Sequence, residues 1–487
     1  MITAIINYMR ERQRNRLFSA GKTVKTAIGS LLVLLTLSCA IPLTVSPPPA
    51  EVGTFNLFLQ PLPQEAQRLN FSFSELVALR DDGIDIPLKI RQPVMTTEPL
   101  IKVQQKLASL TLPPGQYLGL RLQIEQVTTK GEEGEMALLP PAKPILLNYP
   151  FTVIEKQAET LFLSLSADRL VTNGAFFTPK FSLWKPERML TNLKGFVSNG
   201  NSQSLTIFNK RSALVTDLLR VGKKPQDLAL DRRRGWLYVA MADEDLIVVV
   251  EVSNGEILGQ ARLRFGDEPT ELALSPSGKR LLVLNQGSNS VSIIDTASLA
   301  ELGRVRLDSA ANDIFIGRNE DFAYVVHTVS STLSLLDLKS LRVRTSAILA
   351  DAPVKGVVSK DGKTLYLTTD FSADLLVVNG TSLSVQEKIF VGNGAGTIII
   401  SRVTGLLYIG RQDGEIAVVD PEILTAIDSF RLPEPIQALA IDYEENSLLA
   451  LLPQSRCLFK IDLVSKRLIG TLPLESASHA VVVMGGR

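Results

Sequence analysis

Seven polar residues recur at nearly equal spacing through the second half of the chain: Asp227, Glu271, Asp313, Lys355, Thr397, Gln437 and His479. Each stands two residues after a small residue or proline, at Pro225, Pro269, Ala311, Pro353, Ala395, Pro435 and Ala477. Three acids, a lysine and a histidine brought to one place could hold a cation, receive a cationic group of a partner, or move protons in a hydrolysis. The bland alternative is a ring of positions that is polar because it is wet. No spacing here compels a metal.

Other chemistries lack their residues. The sequence holds two histidines, His327 and His479, and two cysteines, Cys39 and Cys457, too few for multi-histidine zinc, copper or haem centres. Neither a GxSxG nucleophile elbow nor a GxxxxGK[ST] phosphate loop occurs. Gly392-Asn393-Gly394-Ala395-Gly396 falls at a turn between repeats, where its glycines serve turn geometry. No catalytic residue and no cofactor is assigned. His327 follows Ala323-Tyr324-Val325-Val326 and is expected to cap a strand against solvent, and Cys457 is expected to be buried. Arg232-Arg233-Arg234 falls in a hairpin and is expected to be solvated.

The elements that position the seven residues repeat with a period of about 42 residues, characteristic of propeller blades. Each block reads as a strand, a tight turn, a second strand, a polar loop, a third strand ending near Asp, and a fourth strand; four strands make one blade. The turns Ser275-Pro276-Ser277-Gly278-Lys279 and Ser359-Lys360-Asp361-Gly362-Lys363 carry the glycine that such hairpins use at positive φ. The strand after Ala477 has no sequel, but Leu193–Ser198, Leu205–Asn209 and Leu214–Val221 read as the second to fourth strands of a blade. The expected fold is therefore all-β, with a seven-bladed propeller over 191–487 closed by pairing of its N- and C-terminal strands.

Residues 54–187 give short alternating runs such as Phe55–Leu59, Leu69–Leu79, Ile84–Ile90, Leu118–Val127, Leu161–Leu165 and Phe177–Trp184, a count and size that suit a β-sandwich. Ahead of it, the segment before Cys39 carries Arg10, Arg12, Arg14, Arg16, Lys22 and Lys25 against Glu11, followed by the apolar run Thr26–Leu37. That layout is a secretory signal, too short to span a bilayer comfortably. The whole chain has net charge +1, so removing residues 1–38 leaves a mildly acidic protein of mixed charge, which argues against nucleic acid as a partner. Residues 39–53 contain three consecutive prolines and form an extended tether.

Four resemblances attach to these residues. Leu35-Thr36-Leu37-Ser38-Cys39 resembles the lipobox of bacterial lipoproteins, with threonine where leucine is usual, and implies lipidation of Cys39. Ala40 resembles the residues that let such proteins proceed to the outer membrane. Leu112-Pro113-Pro114-Gly115-Gln116-Tyr117 resembles a turn of an uncharacterised lipoprotein-associated sandwich family. Leu237-Tyr238-Val239-Ala240, Leu365-Tyr366-Leu367-Thr368-Thr369-Asp370 and Leu407-Tyr408-Ile409-Gly410 resemble the YVTN-type propeller repeat, whereas the Trp-Asp pair of WD blades and the double glycine of kelch are missing.

A propeller does not fix a function. The preferred expectation is a lipid-anchored protein of the bacterial cell envelope, at the outer membrane, whose propeller binds another protein or a polysaccharide. The rival is a hydrolase of the sugar-lactonase type using Asp227, Glu271, Lys355 and His479. An accessory protein of electron transfer ranks third, since the chain brings no cofactor.

Overall fold

The computed structural model describes residues 52–485 apart from 97–99, 101, 132, 133 and 188. The secretory signal expected at 1–38, the lipidation expected at Cys39 and nearly all of the expected tether lie outside the described residues. Among the described residues, no helix is long and apolar enough to cross a membrane.

Two larger sheets and a two-stranded ribbon, Val171–Thr172 with Phe176–Phe177, build the first region. One orders Phe181–Trp184, Ala158–Leu165, Gly53–Leu59 and Gln105–Leu112; the other is built on the long pair Leu69–Arg80 and Gly115–Gly131. Alternation decides which side chains meet: Phe55, Leu57 and Leu59 turn to one core with Phe71, Leu120, Leu122 and Phe151 from the other sheet. The Leu-Pro-Pro-Gly-Gln-Tyr turn has a mechanical reason. Tyr117 is buried, stacks on Phe151 at 4.9 Å and donates its hydroxyl to the Pro113 carbonyl at 2.8 Å, folding the turn back on its own strand. The run expected as one strand at Phe177–Trp184 is broken into Phe176–Phe177 and Phe181–Trp184, because Pro179 between them has no N–H to give a ladder.

Seven four-stranded antiparallel sheets follow. Sheet 1 spans 194–220 and is completed by Ser478–Val483; sheets 2 to 7 span 225–262, 269–306, 313–348, 353–390, 395–431 and 438–473. The completing strand runs antiparallel to Lys194–Asn199, with Gly195 opposite Val483 and Val197 opposite Val481. Its other side packs on the innermost strands of sheets 2 and 7, so the first strand of each sheet lies beside the first strand of the next.

Apolar layers fill the spaces between neighbouring sheets. Leu237 and Val239 of sheet 2 meet Phe196 and Ile207 of sheet 1, Leu281 and Val283 of sheet 3 meet Tyr238 and Ile247 of sheet 2, and the series runs round to Leu449 and Leu451 of sheet 7 against Val197 and Phe208 of sheet 1. Because the middle two strands of each sheet are covered on both faces, they read as continuous apolar runs such as Leu246–Val250.

The hairpin between third and fourth strands repeats one device. An Asp or Asn ends the third strand and its side-chain oxygen accepts the next backbone N–H groups: Asp295 from Ser298 at 2.8 Å, Asp337 from Ser340 at 2.8 Å, Asn379 from Ser382 at 3.0 Å, Asp462 from Ser465 at 2.7 Å. The residue closing the turn is left-handed and a bulge follows, with leucine at 299, 341, 383 and 424. Leu341 rests against Gly303 of the preceding sheet, where a Cβ would stand 2.2 Å from its Cδ1.

Candidate functional site

Strand pairing places the seven periodic residues. Pro225 pairs with Met241, Met241 with Leu246, and Leu246 with Arg262, so the start of the first strand, the turn between second and third, and the end of the fourth share one end of a sheet. The same register holds in the other sheets, which puts the start of every innermost strand at one mouth. Asp227, Glu271, Asp313, Lys355, Thr397, Gln437 and His479 all line one cavity there, of about 390 Å³.

Lys355 organises the acids. Its Nζ donates to Glu271 Oε1 at 2.6 Å and to Asp313 Oδ1 at 3.1 Å, and so supplies the positive charge that those carboxylates would otherwise take from a bound cation. The remaining oxygens hold neighbouring strands: Asp313 Oδ2 accepts the Gly356 N–H at 2.8 Å and Asp227 Oδ2 accepts the Leu272 N–H at 2.8 Å. Those N–H groups edge the innermost strands, beyond the reach of a sheet ladder, and the acids satisfy them. Among the described residues no group of three or more His, Cys, Asp and Glu is arranged to hold a metal.

Three carboxyls stand around one ammonium, and the excess shows in the acidities of Glu271 and Asp227. Burial, reinforced by Asp227 and Asp313, pushes Glu271 up to about 8 against the pull of Lys355. Burial likewise pushes Asp227 up to about 6. Lys355 is held above its ordinary range because Asp313, Glu271 and Asp227 outweigh the burial that lowers it. His479, exposed at the cavity edge and resting on Gly200, is lowered by desolvation and by Lys224. The cluster keeps a proton near neutrality and still presents carboxylate to whatever enters.

Other expectations need correction. His327 does not face solvent: it is 2% exposed, its Nε2 lies 3.1 Å from Ser334 Oγ and its Nδ1 3.1 Å from Ser309 Oγ. It ends a strand whose neighbours fold over it, so both ring nitrogens serve internal bonds. The arginine run is engaged as well. Arg232 Nε donates to the Val483 carbonyl, Arg233 to the Pro276 carbonyl, and Arg234 to the Gly278 carbonyl and Thr296 Oγ1, linking sheet 2 to sheets 1 and 3. Cys457 is half-buried, its thiol pushed up by burial.

One set of residues escaped the sequence reading. Phe265, Val329, Ile348, Phe371 and Phe390 lie in the turns and strand ends at the same end of the sheets as the cavity, and Phe265 and Phe371 are 102% and 94% exposed. Phe371 also holds a left-handed φ of 62°, uncommon for a bulky side chain. The signal was there in aromatic residues inside otherwise polar loops, Arg264-Phe265-Gly266-Asp267 and Asp370-Phe371-Ser372.

Residues 186–403 match the YncE-like β-propeller family. The YncE proteins of Salmonella typhimurium and Salmonella typhi are 29% and 28% identical over 158 residues, 32% of this chain. The match spans 44% of the length of each of those relatives. A protein of unknown function from Desulfotomaculum acetoxidans is similar in structure, with a TM-score of 0.54 at 13% identity over 60% of this chain and 98% of its own. A candidate 6-phosphogluconolactonase from Bacteroides uniformis has a TM-score of 0.50 at 15% identity over 60% and 99%. At such identities the likeness is one of fold. The chain is all-β, and its repeat region is a β-propeller similar to that of the YncE family.

Proposed function

We propose that this chain is a lipid-anchored envelope protein whose seven sheets are the blades of one propeller, and that the propeller is a protein-binding scaffold. In this reading residues 1–38 are removed, Cys39 carries the lipid, 39–53 tether the fold, 54–187 form a β-sandwich and 191–487 the propeller. The anchor places the protein at the outer membrane of a bacterial envelope.

The observation that carries the binding role is the coincidence, at one end of the propeller, of an acid-rich cavity and an arc of exposed apolar tips. Soluble surfaces rarely gather Phe265, Phe371 and Phe390 without a partner to cover them. The carboxyls of Asp227, Glu271 and Asp313 suit a lysine or arginine of that partner, whose apolar neighbours would lie across the arc. The hydrolase reading is weaker, because Lys355 is tied to two carboxylates and is not free to act as a base.

Photo-crosslinking in the native envelope tests it. A photoreactive residue at position 371 is expected to trap one envelope protein that the same residue at Val403, in a turn at the far end, does not trap. Asp227→Ala with Glu271→Ala should weaken the capture in folded protein. Lactone hydrolysis by the pure chain, lost in the same variant, would overturn the proposal.

A further inference from the structure

A second cavity, of about 690 Å³, lies between the first region and the loops of sheets 1 and 7. The strand Gly53–Leu59 explains why the two parts do not close over it. Thr54, Asn56 and Phe58 share the face turned away from the first region's own core. Phe58 stacks on Phe162 at 5.7 Å and joins the apolar layer between sheets 7 and 1, which seals that part. Thr54 and Asn56 continue the face with hydroxyl and amide groups, opposite Thr111 and Ser109, and this polar half walls the cavity.

The walls are held in fixed relation. Gln104 Nε2 donates to the Val215 carbonyl at 3.1 Å while its Oε1 accepts the Val215 N–H at 2.8 Å, a two-point hold on sheet 1. Lys106 is ion-paired with Glu475 at the border.

Charge then gives the cavity a sign. Arg91, Arg220 and Arg456 line it from three separate segments, and among the described residues no carboxylate lies within ion-pair distance of any of them. Glu475, the acid of the lining, is engaged by Lys106 and accepts the Ser204 hydroxyl at 3.0 Å. Asn56, 1% exposed, accepts from Ser109 at 2.8 Å through its Oδ1, while its Nδ2 has no partner among the described residues.

We propose that this cleft binds a carboxylated oligosaccharide, its uronate groups taken by the arginines and its hydroxyls by the serine, threonine and amide side chains between them. Guanidinium forks match carboxylates in two-point geometry. The volume falls within the range of small-molecule sites and far exceeds what inorganic phosphate fills. The site is separate from the channel mouth and stands whether or not a protein binds there.

Calorimetry on the full chain at low salt tests the proposal, with trigalacturonate and a hyaluronan tetrasaccharide as acidic probes, maltotriose as the neutral one, and inorganic phosphate. At least one uronate oligomer is expected to bind one to one, with maltotriose and phosphate at least about tenfold weaker. Arg456→Glu, on an exposed turn, and Arg220→Ala should each weaken binding about tenfold or more, whereas Phe371→Ser leaves it unchanged. Failure of both uronates, equal affinity for phosphate, or unchanged binding in Arg456→Glu with a wild-type melting curve would overturn it.

Discussion

Lys355 reaches across from sheet 5 to place its ammonium 2.6 Å from Glu271 of sheet 3, while touching Asp313 of the intervening sheet 4 on the way. One cation thus ties three successive innermost strands at the mouth of the propeller. Its removal takes from Glu271 and Asp313 the hydrogen-bond donor and counter-charge that they share, and with it the tie between their strands. Lys355→Met is expected to cost about 1–3 kcal/mol, the lower part of the range for a broken buried pair because the side chains retain some exposure. Urea unfolding at pH 7 measures it; a variant as stable as the wild type would show that the pair contributes nothing.

The same cluster sets a pH dependence. Glu271 goes from an ordinary value near 4.5 when unfolded to about 8 when folded, and Asp227 from 3.8 to about 6. Between those limits the folded state binds more protons than the unfolded one, so the contribution of these groups to stability falls as pH rises from about 5 to about 8. Glu271→Gln stays neutral throughout and should flatten the curve in that window. Melting temperature against pH for the two proteins, at constant ionic strength, reads the difference; parallel curves would remove Glu271 from the account.

How much of this was legible depended on whether the cause was periodic. The positions of Asp227, Glu271 and Asp313 follow from a repeat of equal length, because each sheet delivers the same register to the axis. That Lys355 reaches two acids rather than standing in line as a fourth group depends on side-chain length across the curvature between sheets, which no spacing encodes. His327 misled for a related reason: polarity at a strand end suggested solvent, but Ser309 and Ala310 of the preceding loop fold over the ring. The arginine run looked like a solvated turn because its carbonyl acceptors, Val483 and Pro276, belong to distant parts of the chain. The cleft was invisible in sequence, since its walls come from segments scattered between Val52 and Ala477 with no common period.

Gln104 gives a prediction about the joint between the two regions. Gln104→Leu keeps the shape and leaves the N–H and the carbonyl of Val215 buried without partners, which should cost about 2 kcal/mol. Adding Phe162→Ala opens the shared apolar layer at a further cost of about 3–5 kcal/mol. In calorimetric scans the wild type should unfold with its two regions coupled, and the double variant should separate into two transitions. A single shifted transition in the double variant would mean that other contacts carry the coupling.

The last strand offers the sharpest test of how the propeller holds together. Ser478–Val483 completes sheet 1 and also lies between the innermost strands of sheets 2 and 7, so its loss opens three places at once. Deleting residues from 478 onward exposes the edge of Lys194–Asn199 and takes Val481 and Val483 from the layer they fill, about 2 kcal/mol for each valine before any ladder bond is counted. It also removes the Met484 carbonyl that accepts from the buried Lys210 ammonium at 2.8 Å, leaving that charge to Asp442 and Glu444 alone. The truncated chain is expected to lose cooperative thermal unfolding and to be cut by protease within sheets 1 and 7 first. A peptide of residues 476–487 added in trans should restore protection there if pairing is what was lost. Retention of a sharp transition in the truncated chain would show that six sheets and a partial first one hold without the closing strand.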